Sequence, residues 1–219
     1  RYLHNHVTAG RQRTVPIADW NAGDDALFAV EQLVDEALSL RREVQAIETQ
    51  RPSDIERKQQ LHAKSEARLA LLTTIADVVA GAAISTAGER DPVAALTSRL
   101  DADAEVIAGL VAALGTPGQA EALATAGARA RKRLDAGRPD GAPSRQPLHW
   151  PIAFPEVFNG DAPGFDAMIG NPPFVTGTSI RGASGSDYRY YVGAWLADGS
   201  TAGGRADLVC YFFLLASRL

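Results

Sequence analysis

Apolar residues recur at a helical period through the first half of this chain. Leu27, Val30, Val34, Ala37, Leu38, Val44 and Ile47 fall near a 3.6-residue repeat. That repeat predicts an amphipathic helix opened by Asp24 as N-cap and stopped by Pro52. Ser53-Asp54-Ile55-Glu56 has capping-box spacing and predicts a second helix, with Leu69, Leu72, Ile75, Val79 and Ala83 on one face. Asp91 before Pro92 starts a third, because proline at the first helical position removes an amide that has no acceptor there. Thr116-Pro117-Gly118 ends it, and an Ala-rich fourth runs to about Leu134. The first two are expected to pair as an antiparallel hairpin of long helices.

The pattern changes at residue 136. Ala136 to Pro147 (AGRPDGAPSRQP) is rich in Pro, Gly and Arg and reads as an exposed linker or loop over residues 136–148. Short aromatic and β-prone pieces follow, then Gly-rich stretches, then a final apolar helix. Ala167, Met168 and Ile169 suit a short buried strand. Gly170 lets the chain turn, and Pro172-Pro173 forbid both ladder pairing and helix. The expected result is a stiff loop at the carboxyl end of a strand, where open α/β sheets bind ligands.

Composition narrows the class. With 219 residues and 46% apolar content, the chain is long enough for one large domain or two small ones. The single cysteine, Cys210, excludes an internal disulfide framework and a multi-cysteine zinc site, so a cytoplasmic setting is expected. On an apolar helix face it reads as a small buried hydrophobe. No uncharged apolar run reaches the roughly 18–20 residues that cross a bilayer, and no membrane partner is expected. The start lacks an initiating Met and an apolar signal core, and the end falls inside an apolar run. The chain is therefore expected to be part of a longer protein.

The net charge of −4 is uneven. Residues 1–23 hold three basic groups against one acidic, residues 24–135 thirteen against eighteen, and residues 136–219 six against seven. None of these has the strongly basic balance of a general DNA-binding surface, so a nucleic-acid partner needs local clusters. Arg129-Ala130-Arg131-Lys132-Arg133, with Arg138 and Arg145 after it, is one such run. The alternative is a solvated helix end whose cations favour the C-terminal dipole. His4-Asn5-His6 has no third or fourth ligand nearby and reads as a surface segment; no metal is expected.

The chemistry concentrates in Phe165-Asp166-Ala167-Met168-Ile169-Gly170-Asn171-Pro172-Pro173-Phe174. Asn171 offers a side-chain carbonyl, and Pro172 a backbone carbonyl on a residue with no amide proton. Two fixed acceptors suit a planar –NH2 group, which has two protons to give. They draw its nitrogen out of conjugation and leave its lone pair available for attack. Phe174 adds a flat face for stacking, worth on the order of 1–3 kcal/mol per base.

Asn171-Pro172-Pro173-Phe174, preceded by Phe165-Asp166 and Gly170, resembles motif IV of the S-adenosylmethionine-dependent amino-methyltransferases, especially the DNA adenine-N6 enzymes. Trp150-Pro151-Ile152-Ala153-Phe154-Pro155-Glu156-Val157-Phe158 is similar to the lead-in of the large bacterial members found in type IIG restriction–modification and BREX-like phage-defence systems. Ala206-Asp207-Leu208-Val209-Cys210-Tyr211-Phe212-Phe213 resembles their motif V helix. The specific resemblance covers about residues 149–219.

The resemblance implies an α/β fold: part of a Rossmann-like methyltransferase domain with a long α-helical insertion. Residues 1–23 would be a strand or loop of the catalytic domain, 24–135 the insertion, 136–148 the linker and 149–219 the catalytic half. It implies that Asn171 and Pro172 accept from the adenine N6 amino group, Pro173 holds the loop and Phe174 stacks on a flipped base. Arg181, Arg189 and Arg205, interleaved with Tyr188, Tyr190 and Tyr191, would contact the double-stranded DNA substrate. Asp207 either shapes the pocket or caps the last helix. S-adenosylmethionine is the implied cofactor, yet the family's Gly-rich motif I and its ribose-binding acidic residue are absent. The chain alone is therefore expected not to bind that cofactor measurably and to be inactive. Target-recognition and nuclease domains, fused or associated, are possible partners. Protein glutamine-N5 methylation uses a similar loop but usually has Tyr in place of Phe174, in compact enzymes. A helical interaction module with a decayed methylase half is the non-enzymatic alternative.

Overall fold

The computed structural model describes residues 24–159, 163–196 and 206–219. Helices α1 (Asp24–Ala46) and α2 (Pro52–Thr86) form the expected antiparallel hairpin. Their register is fixed by side chains: Arg41 Nε donates to Ser65 Oγ at 3.2 Å, and Arg68 Nε meets Glu36 at 2.9 Å. Pro52, expected to stop α1, instead opens α2. Its missing amide and preset φ suit the first helical position. The carboxylate three residues into the start is therefore Asp54, which accepts from the Arg51 amide at 2.7 Å and the Gln50 amide at 3.0 Å. Ser53 and Glu56 do not form the predicted box.

Asp91 caps α3 (Pro92–Asp101) as expected, its Oδ1 accepting from the Ala94 amide at 3.1 Å. The single helix predicted from here to Thr116 is two: α3, and then α4 (Ala104–Ala112). The break is at Asp103, whose side chain is wholly buried and paired with Arg133 and with Arg129 at 2.7 Å. Both arginines come from α5 (Gln119–Leu134). Two cations from another helix hold a carboxylate in the interior, as a buried charge requires.

Leu33, Val34, Ala37 and Leu38 of α1 pack with Leu69, Leu72, Ile75 and Ala76 of α2, closed by Ile107, Leu110, Ala126 and Ala130. A Cβ on Gly81 would lie 3.1 Å from the Ala130 carbonyl oxygen, so α2 and α5 cross with almost no side chain between them. Helix α2 contains an apolar window of mean hydropathy 1.7, long enough to cross a membrane, but 67% of that window is buried in the bundle. It is the central helix of the packed core.

Short elements complete the description: α6 (Trp150–Ala153), α7 (Pro155–Phe158), α8 (Ile180–Ser184), α9 (Ser186–Tyr191), a π-helical turn (Val192–Leu196) and α10 (Leu208–Ala216). Among the described residues there is no strand, which overturns the expected α/β, Rossmann-like architecture. Ala167, Met168 and Ile169 form irregular backbone, and Ile169 is fully exposed. A strand needs neighbours to take its amides and carbonyls, and no described segment pairs with these three residues. The expected N-terminal segment 1–23, with His4 and His6, lies outside the described residues.

Candidate functional site

The stretch ahead of Asn171 is fastened to the helical hairpin by buried polar groups. Arg41 is 9% exposed. Its Nη1 donates to the Ala153 carbonyl at 2.6 Å and to Glu156 at 3.0 Å, while Nη2 meets Glu66 at 2.8 Å. Buried His149 lies 2.6 Å from Asp77 of α2. The sequence Trp150 to Phe158 thus turns tightly because two prolines start short helices within it and α1 and α2 grip both. Its rings form a nest for Phe165: centroids of Trp150, Phe154 and Phe158 lie 5.5–5.6 Å from that of Phe165, all edge-on. Edge-to-face contacts at this spacing are favourable beyond their buried area.

Phe165 is also the first fixed point of the loop, its amide donating to the Leu219 carbonyl at 2.9 Å. The second fixed point is Val175. Its carbonyl accepts from the Leu208 amide at 2.9 Å, and its side chain packs on Ile180, Val192 and Tyr211. Between them, a Cβ placed on Gly170 would lie 3.7 Å from the Phe212 ring of α10, an ordinary van der Waals contact. Asn171, Pro173 and Phe174 are exposed, Phe174 to 80%, and Pro172 is half-buried. The Asn171 carboxamide makes no hydrogen bond among the described residues. The four residues therefore form a ledge held at both ends, with the Asn171 side chain and the Phe174 ring exposed.

The arginines differ in their surroundings. Arg181 is exposed, with its guanidinium 6.0 Å from the ring centroid of Tyr190. Arg189 is half-buried and donates to the Tyr211 hydroxyl at 3.2 Å, so it ties α9 to α10. Arg205 lies outside the described residues. In the earlier basic run, Arg129 and Arg133 serve Asp103, and Arg138 lies 3.6 Å from Asp135. Arg145 reaches the carbonyls of Leu134, Ala136 and Ser184, so it closes the end of α5 and binds it to the segment after the loop. Only Arg131 and Lys132 of the Arg129–Arg133 run keep exposed, unengaged heads.

Electrostatics support this fastening. The Ser144 hydroxyl and the Arg145 amide hold the Asp135 carboxyl below its usual range. Burial pushes the Tyr191 phenol up to about 12 and raises that of Tyr188. Cys210, expected to be buried, is exposed. Asp207 stands at the head of α10, where its side chain makes no capping bond; it accepts instead from the Gly177 amide at 2.8 Å.

Sequence reasoning missed Arg41, Ser65, Asp77 and His149. For the first two a signal existed. Arg41 continues the spacing of Val34 and Ala37 on α1, and Ser65 stands midway between Leu61 and Leu69 on α2. A polar residue on an apolar stripe is a buried polar residue, and such a group needs a partner.

A cleft of about 350 Å³ between α4 and α5, lined by Val106, Leu110, Glu121 and Ala122 among others, is open, mostly apolar and does not include the ledge. Among the described residues no cluster of His, Cys, Asp and Glu has the form of a metal site. Residues 122–219 match the family model described as Eco57I restriction-modification methylase. That stretch begins inside α5 and takes in the lead-in, the ledge and α10, so this part of the chain is similar to restriction–modification methylases. No curated protein and no solved structure matches the chain.

Proposed function

We propose that residues 149–219 carry the amine-accepting part of a DNA methyltransferase that methylates adenine at N6. The observation that carries this reading is the exposed, unengaged Asn171 beside exposed Phe174, inside the stretch that matches a restriction–modification methylase family. Asn171 Oδ1 and the Pro172 carbonyl accept the two N6 protons. Pro173 keeps the loop from relaxing, because its ring fixes φ. Phe174 stacks on the adenine once the base has left the duplex. Arg181 and Arg189 follow the ledge in the chain, and Arg181, the exposed one of the two, is the one free to meet a phosphate. The chain's contribution is thus orientation and electrostatics: it holds a nitrogen lone pair free and pointed outward from the ledge.

The methyl donor of this reading is S-adenosylmethionine, which supplies an electrophilic methyl group on a sulfonium. The described residues around Asn171 do not fit it as a site. They form an open ledge with no enclosing wall among the described residues.

The test is methyl transfer to DNA by the complete gene product. In a radiolabelled assay, Asn171→Ala is expected to abolish transfer while leaving cofactor binding within a few-fold, since the ledge accepts the amine and not the cofactor. Wild-type turnover by that variant would overturn the reading. Label appearing on a protein glutamine, with none on DNA, would replace it with the amide-methylating alternative.

A further inference from the structure

Aspartate at the head of a helix ordinarily accepts from the amide two or three residues on. Asp207 has the extended backbone of a cap (φ −69°, ψ 156°), yet no bond runs from α10 to its side chain. The carboxylate turns away and takes the amide of Gly177, 30 residues earlier, at 2.8 Å. The next residue, Leu208, donates its own amide to the Val175 carbonyl at 2.9 Å. Two bonds therefore bracket Thr176, the second residue after Phe174. Gly177 is buried between them, and the Thr176 carbonyl closes the following turn by accepting from Ser179 at 2.8 Å and Ile180 at 3.1 Å.

This arrangement gives up a helix cap to hold a loop. Prolines at 172 and 173 stiffen the ledge, so a shift at its exit is passed to Asn171 and not absorbed along the way. We propose that Asp207 is a positioning residue: by clamping Gly177 it sets where Asn171–Phe174 stand relative to α10. The inference rests on the reading of those four residues as the amine-accepting ledge.

Three variants separate clamping from capping. Asp207→Asn keeps an acceptor of the same reach, Asp207→Ser keeps a good helix cap but is too short to reach Gly177, and Asp207→Ala has neither. Each is made in the complete gene product, with steady-state methyl transfer to DNA and hydrogen exchange of the Gly177 amide as readouts. Asn is expected to hold kcat and Gly177 protection near wild type. Ser and Ala are expected to lose protection at Gly177. Their kcat should fall by about 10- to 100-fold with little change in KM for DNA, the scale set by misplacing a reacting group by about 1 Å. Wild-type kcat with intact Gly177 protection in the Ser variant would overturn the proposal, because capping would then suffice. Equal loss in all three with unchanged Gly177 protection would also overturn it. A wild-type protein that methylates no DNA refutes the proposed function alone, since Gly177 exchange still tests the clamp.

Discussion

Arg41 shows how much one side chain can organise. Its guanidinium reaches three acceptors in the lead-in and on α2, and its Nε takes Ser65. Arg41→Met keeps the aliphatic stem but leaves the half-buried Ala153 carbonyl without its side-chain donor and removes a donor from buried Ser65, whose hydroxyl still donates to the Ala37 carbonyl. The expected loss is roughly 1–3 kcal/mol of unfolding free energy, the range for an abandoned buried hydrogen-bonding group. Glu66 and Glu156 are better solvated and regain water, which keeps the loss inside that range. The midpoint of urea denaturation measures it, and a change below about 0.5 kcal/mol, the scale of an ordinary surface substitution, would show that the lead-in does not depend on this anchor. Phe174 has the opposite character: it is 80% exposed and contributes little to folding. Phe174→Ala should lower methyl transfer, and Phe174→Asp should lower it further, because the second adds a charge near phosphate. Equal activity in all three proteins would remove Phe174 from the site.

Among the elements, the crossing of α2 and α5 is governed by small residues. At Gly81 the opposing backbone of Ala130 leaves room for a hydrogen and little else. Gly81→Leu must push α5 outward, and the expected cost is about 1–3 kcal/mol of overpacking. Because α5 also supplies Arg129 and Arg133 to Asp103, the shift would loosen the α3–α4 corner too. Thermal denaturation reads the first effect, and amide exchange at the start of α4 the second. Glycine acts differently at 185, where φ is +92° and a Cβ would strike the Gly137 carbonyl. There the segment joining α5 to the lead-in lies against the backbone between α8 and α9, with Arg145 bonded to both sides. A stretch rich in Pro, Gly and Arg, expected to be an exposed linker, thus contains a clasp.

For the molecule as a whole, stability should narrow toward both extremes of pH. Asp135 is held below its ordinary pKa, so the unfolded chain takes up its proton first as pH falls. Its contribution is present above the ordinary carboxylate value and lost as pH drops through the lowered one. Asp135→Asn should flatten that acid limb. At the alkaline side, Tyr191 in the fold titrates near 12, above its ordinary value of 10. Unfolded chains release that proton first, so stability declines as pH rises from 10 through 12, and Tyr191→Phe should remove part of the decline. Denaturation midpoints taken across the pH range test both; a profile unchanged by either substitution would contradict the assignment.

Local signals determined a good deal by themselves. The helical stripes between Leu27 and Leu134, the Asp91 cap and the apolar run of α10 were legible because spacing and capping act within one turn of chain. The irregular backbone of Asn171 to Phe174 was legible too, since two successive prolines bar helix and ladder pairing without help from elsewhere. Partners distant in sequence were not legible. Asp103 breaks a helix because Arg129 and Arg133 reach it, and Asp207 abandons its cap because Gly177 lies within reach. The strand expected at Ala167 to Ile169 failed for the same reason in reverse. A strand is stabilised by its neighbours, and those residues have none among the described ones, whereas a helix satisfies its own backbone.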